Sequence, residues 1–221
     1  SPTEGGRIFL WIDQVFPMAR HYGPKVRLSR SVQAAIAKTP KHVTPKKQSS
    51  PGAHGHHKPR RSLYGSRLLE KRKVSSYYDV RHRQLRRYVK QAGAAKGPSQ
   101  QALQEALERR LDNVIRRLRW ARTIWQARQM VVHGHFRVNG RKVNLPSFQV
   151  KPRDRITVKE SSRDFVRRCA KSTEGMGFRV PDWLSADQDR LEATVLHAPQ
   201  FDEVMLPFEI DYTKIIEFYA R

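Results

Sequence analysis

The chain has 221 residues, enough for one or two domains with a real core, although only 38% are hydrophobic and 29% are charged. Its 44 lysines and arginines stand against 20 acidic residues, a formal net charge of +24 that calls for a polyanionic partner. No apolar run approaches the roughly 18 residues of a spanning helix, and the basic residues are spread over many elements, so nucleic acid is favoured over a membrane surface.

Residues 1–17, SPTEGGRIFLWIDQVFP, hold a brief apolar patch from Ile8 to Ile12. They lack a basic lead-in and a small-residue cleavage pattern, and so read poorly as a signal peptide. Residues 18–62 form a basic arm rich in Pro, Gly and His, with little regular structure expected beyond a short helix near Ser31–Lys38. Its histidines, His42, His54, His56 and His57, have cations around them and no carboxylate or thiolate nearby. They therefore read as solvated or phosphate-facing side chains rather than zinc ligands. Residues 63–92 are predicted helical. Leu85, Tyr88, Val89 and Ala92 form an apolar stripe, with Arg83, Arg86, Arg87 and Lys90 over the rest. Arg67, Lys71, Arg72 and Lys73 are interleaved with Tyr64, Tyr77 and Tyr78, a mixture that can hold phosphates and stack on unpaired bases; core packing is favoured for Tyr77 or Tyr78. The linker AGAAKGPSQ follows, and Ser99 is expected to cap the next helix.

Residues 108–159 carry the densest signals. Leu111, Val114, Ile115 and Leu118 lie on one helical stripe, with Arg109 and Arg116 on the opposite face and Arg110, Arg117 and Arg119 on the flanks. Thr123 and Gln126 form a capping box for a second helix, whose Ile124, Ala127 and Val131 point inward with Met130 beside them. Gly134 suits a left-handed ending. Asn139-Gly140 predicts a two-residue type I′ hairpin turn that pairs Val138 with Arg141, Arg137 with Lys142 and Phe136 with Val143. Phe136 and Val143 then share a core face. Arg137 and Lys142 are like charges directly opposite on the other face, a repulsion that a bound anion would offset. A returning strand closes the module.

The remainder to Arg179 is basic, and the sign then reverses. Residues 18–90 hold 20 Lys/Arg against 2 Asp/Glu, residues 91–179 hold 20 against 7, and residues 180–221 hold 3 against 9. The first two stretches read as a polyanion-binding surface and the acidic end as protein-facing or self-packing. Cys169 is the only cysteine, so no internal disulfide can form and a reducing compartment suits the chain; within RDFVRRCAKS it reads as an inert thiol. Asp79, Asp112 and Asp154 read as helix pairing, helix N-terminal charge and turn formation. No Gly-rich phosphate loop, HEXXH or Ser/His/Asp arrangement is present.

The string RLDNVIRRL, then ART, then QARQMVVHGHFRVNGRKVNLPSFQVKPRDRITV resembles the alpha-L RNA-binding module of the S-four family of small-subunit ribosomal proteins. MARHYGPKVRLSR from Met18, PDWL near Pro181 and the closing IIEFYAR resemble the same family, so the likeness spans about residues 18–221 and implies that residues 1–17 are an extension or an artefact of start-site choice. One departure is Arg119, which stands where the family usually has glycine between the two helices. A second is Val26 and Ser29, which stand where some members carry cysteines of a zinc knuckle. The resemblance implies an α+β fold: a mostly helical basic domain, an alpha-L module of two helices with a small antiparallel β-sheet, and an extended N-terminal arm. The implied division is an arm at 18–62, a helical domain at 63–108 completed by 201–221, and an RNA-binding domain at 109–200 with the module at 109–160.

The same resemblance implies a structural constituent of the small ribosomal subunit rather than an enzyme, with no cofactor. It would bind the 5′ domain of small-subunit ribosomal RNA, nucleate assembly and contribute to translational accuracy. Ribosomal protein S-five and other small-subunit proteins would be neighbours. Messenger RNA would pass near HGHHKPRRS, where His57 stands in place of a frequent arginine. The setting would be the cytoplasmic ribosome of a bacterium, or an organellar one. The rival reading is an RNA-modifying or tRNA-acting enzyme, or a small stress protein, that carries this module; an enzyme would need a further catalytic domain. The RNA-binding candidates are Lys58, Arg60, Arg61, Tyr64, Arg67, Lys71, Arg72, Lys73, Arg86, Arg87, Arg109, Arg110, Arg116, Arg122, Arg128, His133, His135, Arg137, Asn139, Arg141 and Lys142; no metal ligand is expected.

Overall fold

Apolar stripes on short helices must be buried against other elements, and here they gather into two cores. The computed structural model describes residues 23–36, 49–53, 55, 61–173 and 179–220. Lys58, Arg60, the four arm histidines and residues 1–17 lie outside them. Among the described residues are eight α-helices: α1 (Lys25–Val32), α2 (Leu63–Tyr77), α3 (His82–Ala94), α4 (Ser99–Glu108), α5 (Leu111–Arg117), α6 (Ile124–Val132), α7 (Arg163–Lys171) and α8 (Tyr212–Tyr219). Five strands, β1 (Phe136–Val138), β2 (Arg141–Lys142), β3 (Arg155–Val158), β4 (Leu184–Asp187) and β5 (Glu192–Val195), form one antiparallel sheet in the order β2-β1-β3-β5-β4. The expected α+β architecture is present.

The first core is helical. Val74, Tyr77, Tyr78, Leu85, Tyr88, Leu103 and Leu107 from α2 to α4 pack with Tyr212 and Ile215 of α8, so the end of the chain returns to the helices near its beginning. The second core lies under the sheet. Alternation along β1, β3 and β5 sends Phe136, Val138, Ile156, Val158, Ala193 and Val195 inward onto Leu111, Ile115 and Leu118 of the α5 region, Ala127 and Val131 of α6, and Val166 of α7. Trp120 stacks on Phe136 with ring centroids 6.0 Å apart.

Several local expectations give way. The helix over residues 63–92 is two helices, because Asp79 takes a left-handed conformation at φ 49° between buried Tyr78 and Val80. Ser99 is the first residue of α4 rather than its cap, which is Pro98 with no side-chain bond. The arm helix is Lys25–Val32, earlier than the expected Ser31–Lys38, and Gln33 ends it at φ 54°. The sheet gains β4 and β5, whose LSAD and EATV runs, four residues each, are too short to stand out in the sequence. Thr123 caps α6 by accepting from Gln126 N at 3.2 Å, but Gln126 Oε1 accepts from Arg122 N at 2.8 Å, one residue before the reciprocal partner of a capping box.

The bend between α5 and α6 is closed although it lacks glycine. Arg119 N donates to Arg116 O at 3.1 Å and Trp120 N to Ile115 O at 3.2 Å, the paired bonds of a Schellman ending, and Arg119 itself sits at φ 66°. A non-glycine residue there carries a strain of roughly 1–2 kcal/mol, held in place because Leu118 and Trp120 on either side are fully buried.

The two cores meet across buried charges. Glu108, fully buried, accepts from Arg117 Nε and Nη2 at 2.9 and 2.7 Å, from the Tyr78 hydroxyl at 2.7 Å and from Asn113 Nδ2 at 2.7 Å. Burial pushes the Glu108 carboxyl up, but the Arg117 charge and these hydrogen bonds outweigh it and hold the group below its ordinary range. Glu108→Gln leaves Arg117 buried without its counter-charge and should cost roughly 3–5 kcal/mol by urea unfolding. Because the folded carboxyl titrates below its unfolded value, its contribution is full above the ordinary carboxylate range and is lost as pH falls through the folded value. The difference in stability between wild type and variant should therefore shrink in acid.

Candidate nucleic-acid interface

The hairpin forms as its residues dictate. Asn139 and Gly140 occupy the turn at φ 50° and 78°, with Val138 opposite Arg141 and Arg137 opposite Lys142. Val143 N donates to Phe136 O at 3.3 Å, and Val143 packs on the module core. Arg137, Arg141 and Lys142 are exposed, and no ion pair to an acid forms at them among the described residues. Gly134 has φ 72°, and an added Cβ there would come within 2.3 Å of Lys142 Cε, so the lysine stem lies across this glycine. The turn places His133 and His135 beside the hairpin with rings 6.0 Å apart; His135 Nδ1 bonds the Ser162 hydroxyl at 2.8 Å, and its ring lies 5.2 Å from that of half-exposed Phe165. Cations, imidazoles and an aromatic edge on one surface can neutralise phosphates and stack on a base.

Asn139 is a positioning residue. Its Nδ2 donates to Asp154 Oδ1 at 2.8 Å and its Oδ1 accepts from Arg155 N at 2.9 Å, which joins the hairpin turn to the start of β3. Asp154 also accepts from Lys151 N at 2.7 Å and holds the turn there.

The remaining candidates divide by what their charges already meet. Arg72, Arg86, Arg87 and Arg122 are exposed. Arg61 is exposed and donates to Gln33 Oε1 at 2.8 Å, while Tyr64 is exposed with its ring 5.7 Å from that of Phe218. Lys71 lies 4.8 Å from the Phe218 ring, and burial, then the Arg72 charge, lower its pKa. Arg67 bonds Glu217 at 2.7 Å, Lys73 bonds Glu70 at 2.8 Å and Arg109 bonds Glu105 at 2.8 Å, the first bracing α8 against α2. Arg116 donates to Asn113 Oδ1 at 2.6 Å and lies 4.1 Å over the Tyr77 ring, and Arg128 donates to Asp79 O at 2.9 Å.

Arg110 is corrected outright. It is 2% exposed, forms a two-point pair with Asp112 at 3.0 and 2.6 Å and donates to the Tyr88 hydroxyl at 2.9 Å, so it meets no external phosphate from this position. Asp112 lies in the first turn of α5, as expected of a helix N-terminal charge, and is fully buried as its partner. The missed cations are Arg119, Arg167 and Lys171, which share one cavity; the spacing of Arg167 and Lys171, four apart on a helix, is the signal that could have found the pair. Among the described residues no group of three or more His, Cys, Asp or Glu side chains could hold a metal ion, and no helix is long and apolar enough to cross a membrane.

The fold and this face define an S4-domain RNA-binding protein. The S4 domain family matches residues 109–156, and the ribosomal protein S4/S9 N-terminal domain family matches residues 20–108. Curated relatives align along their whole length with 92% of this chain: the small ribosomal subunit protein uS4 of Rubrobacter xylanophilus at 42% identity, that of Geobacillus thermodenitrificans at 41% and that of Natranaerobius thermophilus at 39%. The chain belongs to the uS4 family of small-ribosomal-subunit proteins.

Burial first, then the charges of His133 and Lys159, lower the pKa of His135. A phosphate at this face opposes those cations, so the His135 imidazole followed by NMR should titrate below the ordinary histidine range in the free protein and rise on addition of RNA. A titration midpoint unmoved by saturating RNA would take His135 out of the interface.

Proposed function

We propose that the chain is a structural constituent of the small ribosomal subunit, acts by binding rather than catalysis, and recognises the 5′ domain of small-subunit ribosomal RNA. The observation that carries this reading is the exposed hairpin face of Arg137, Arg141 and Lys142, none of them ion-paired among the described residues, in a chain with formal net charge +24. Arginines and lysines there neutralise phosphates and release counterions, while the fixed shape of helices and hairpin selects a folded junction rather than a sequence. Bound at that domain, the protein nucleates assembly of the subunit in the cytoplasm of a bacterium. Residues 18–62 act as a basic arm, 63–108 with 201–221 as a helical domain, and 109–200 as the RNA-binding domain. The arm lies near messenger RNA where it enters the subunit, the acidic end faces a protein neighbour, and the protein contacts ribosomal protein S-five, an interface tied to decoding accuracy. Neither metal nor cofactor takes part.

The hairpin supplies the direct test. Arg137 and Lys142 repel in the free protein by roughly a few tenths of a kcal/mol, and phosphates relieve that repulsion in the complex. Arg137→Thr should leave the free protein as stable or slightly more so, yet weaken binding to a 5′-domain transcript and reduce the logarithmic salt slope by roughly 0.7–0.9 for each phosphate no longer neutralised. Unchanged affinity and slope would remove the hairpin from the interface. Wild-type protein that prefers this transcript no more than an unrelated RNA of equal length would overturn the assignment itself.

The acidic end has a separate readout. Arg67 and Lys71 of α2 meet Glu217 and Phe218 of α8, so removing the last seven residues should impair folding or decoding accuracy more than RNA affinity. Crosslinks from residues 202–221 chiefly to RNA, rather than to protein, would contradict a protein-facing end.

A further inference from the structure

Between the α5–α6 bend, the end of α7 and the β4–β5 turn lies a cavity of about 420 Å³ lined by Arg119, Arg167, Lys171, Thr173, Gln188 and Asp189. It sits at the β4 side of the sheet, the edge opposite the hairpin. Its neutral polar groups are already committed. Gln188 accepts from Trp120 Nε1 and donates to Leu118 O, both at 3.0 Å, and the Thr173 hydroxyl lies 3.0 Å from Arg119 O and 2.6 Å from Ala170 O. Arg167 is held as a wall by Asp189 O at 3.2 Å, with Asp164 3.6 Å away. Arg119 and Lys171 have no ion-pair partner among the described residues. Three cations thus face a single lining carboxylate, that of Asp189.

The conformation of Arg119 adds an independent sign. Its backbone is left-handed at φ 66° within a Schellman ending, a position where glycine would be relaxed. Strain of this kind collects where a side chain is needed for a site, and this side chain is the one that brings a cation to the cavity from α5. The excess of positive charge selects an anion, and the volume admits a phosphate together with part of the sugar that carries it.

We propose that this cavity takes a backbone phosphate of the bound RNA, held by Arg119 and Lys171 against the wall formed by Arg167, so that the RNA is gripped at both edges of the sheet. The proposal rests on the RNA-binding function above. No bond is made or broken; the phosphate exchanges water and counterions for two cationic donors.

The test uses the full chain, a 5′-domain transcript and binding measured across a series of monovalent salt concentrations. Arg119→Gly should raise the melting temperature by relieving the bend, yet weaken binding about threefold to tenfold and lower the salt slope by roughly 0.7–0.9. Lys171→Gln should weaken binding in the same direction with little change in melting temperature. Arg190→Gln serves as the control, since it removes one charge from the same β4–β5 turn outside the cavity, where Arg190 is paired with Asp187 at 3.7 Å. Wild-type affinity and slope in Arg119→Gly would overturn the proposal, as would an equal loss in Arg190→Gln, which would mark a general charge effect. Failure of the wild type to select the transcript would instead overturn the functional reading on which the proposal rests.

Discussion

The structure depends on a seam of buried charge between its two cores. Arg110, Asp112, Glu108 and Arg117 come from the end of α4 and from α5, one short stretch of chain, and Glu108 and Arg110 are each tied to a side chain beyond it, Arg117 to the backbone carbonyl of Met205. Glu108 binds Tyr78 from the end of α2, and Arg110 reaches Tyr88 of α3. Tyr88 also receives Gln149 Nε2 at 3.4 Å, and Gln149 pairs by an isolated bridge with Arg110. Arg128 of α6 spans to Asp79 in the break between α2 and α3. Apolar packing contributes the bulk of the contact but is non-directional. Bidentate guanidinium–carboxylate pairs are directional, and a displaced partner leaves a charge in a low-dielectric interior. The seam therefore fixes how the helical domain and the hairpin domain present their cations together, a requirement for reading the shape of a folded RNA.

Arginine is the residue that can do this work. Its planar fork satisfies two carboxylate oxygens while a further N–H reaches a third group, as Arg110 does with Asp112 and Tyr88 and Arg117 with Glu108 and Met205 O. Part of the arginine content is thus structural. The exposed cations are the ones left to meet a partner, and they include those on the hairpin, along α3 and around the cavity beside α7.

What the sequence made legible follows the range of the signal. The Asn139-Gly140 turn, the Leu111–Leu118 stripe, the Thr123 cap and the left-handed Gly134 are set by contacts within a few residues, and each is found in the structure. The burial of Arg110 could not be read in this way. On a helical wheel it falls on the flank, and only the arrival of Tyr88 from α3 and of Gln149 from the loop beyond the hairpin withdraws it from water. The break at Asp79 was hidden for the same reason: its left-handed turn is repaid by Arg128, 49 residues away. Strands β4 and β5 are only four residues each, too short a run to read alone, and they are ordered by pairing, β5 onto β3 and β4 onto β5.

Local consistency explains where the chain departs from its own rules. Most elements satisfy propensity, capping and packing at once, which is how a sequence specifies one structure. Two places do not. Arg137 faces Lys142 across two strands, and Arg119 occupies a bend that favours glycine. Both are cations, neither has an ion-pair partner among the described residues, and the rest of the fold holds each rigidly: the first by the Asn139 bonds to Asp154 and Arg155, the second by buried Leu118 and Trp120. A chain selected for the stability of the free protein alone would relieve both with ordinary substitutions. Unfavourable charge on the hairpin and unfavourable backbone geometry at the α5–α6 bend are both accounted for if the working state is the complex proposed above, in which a polyanion would cancel the repulsion at the one and meet the strained side chain at the other.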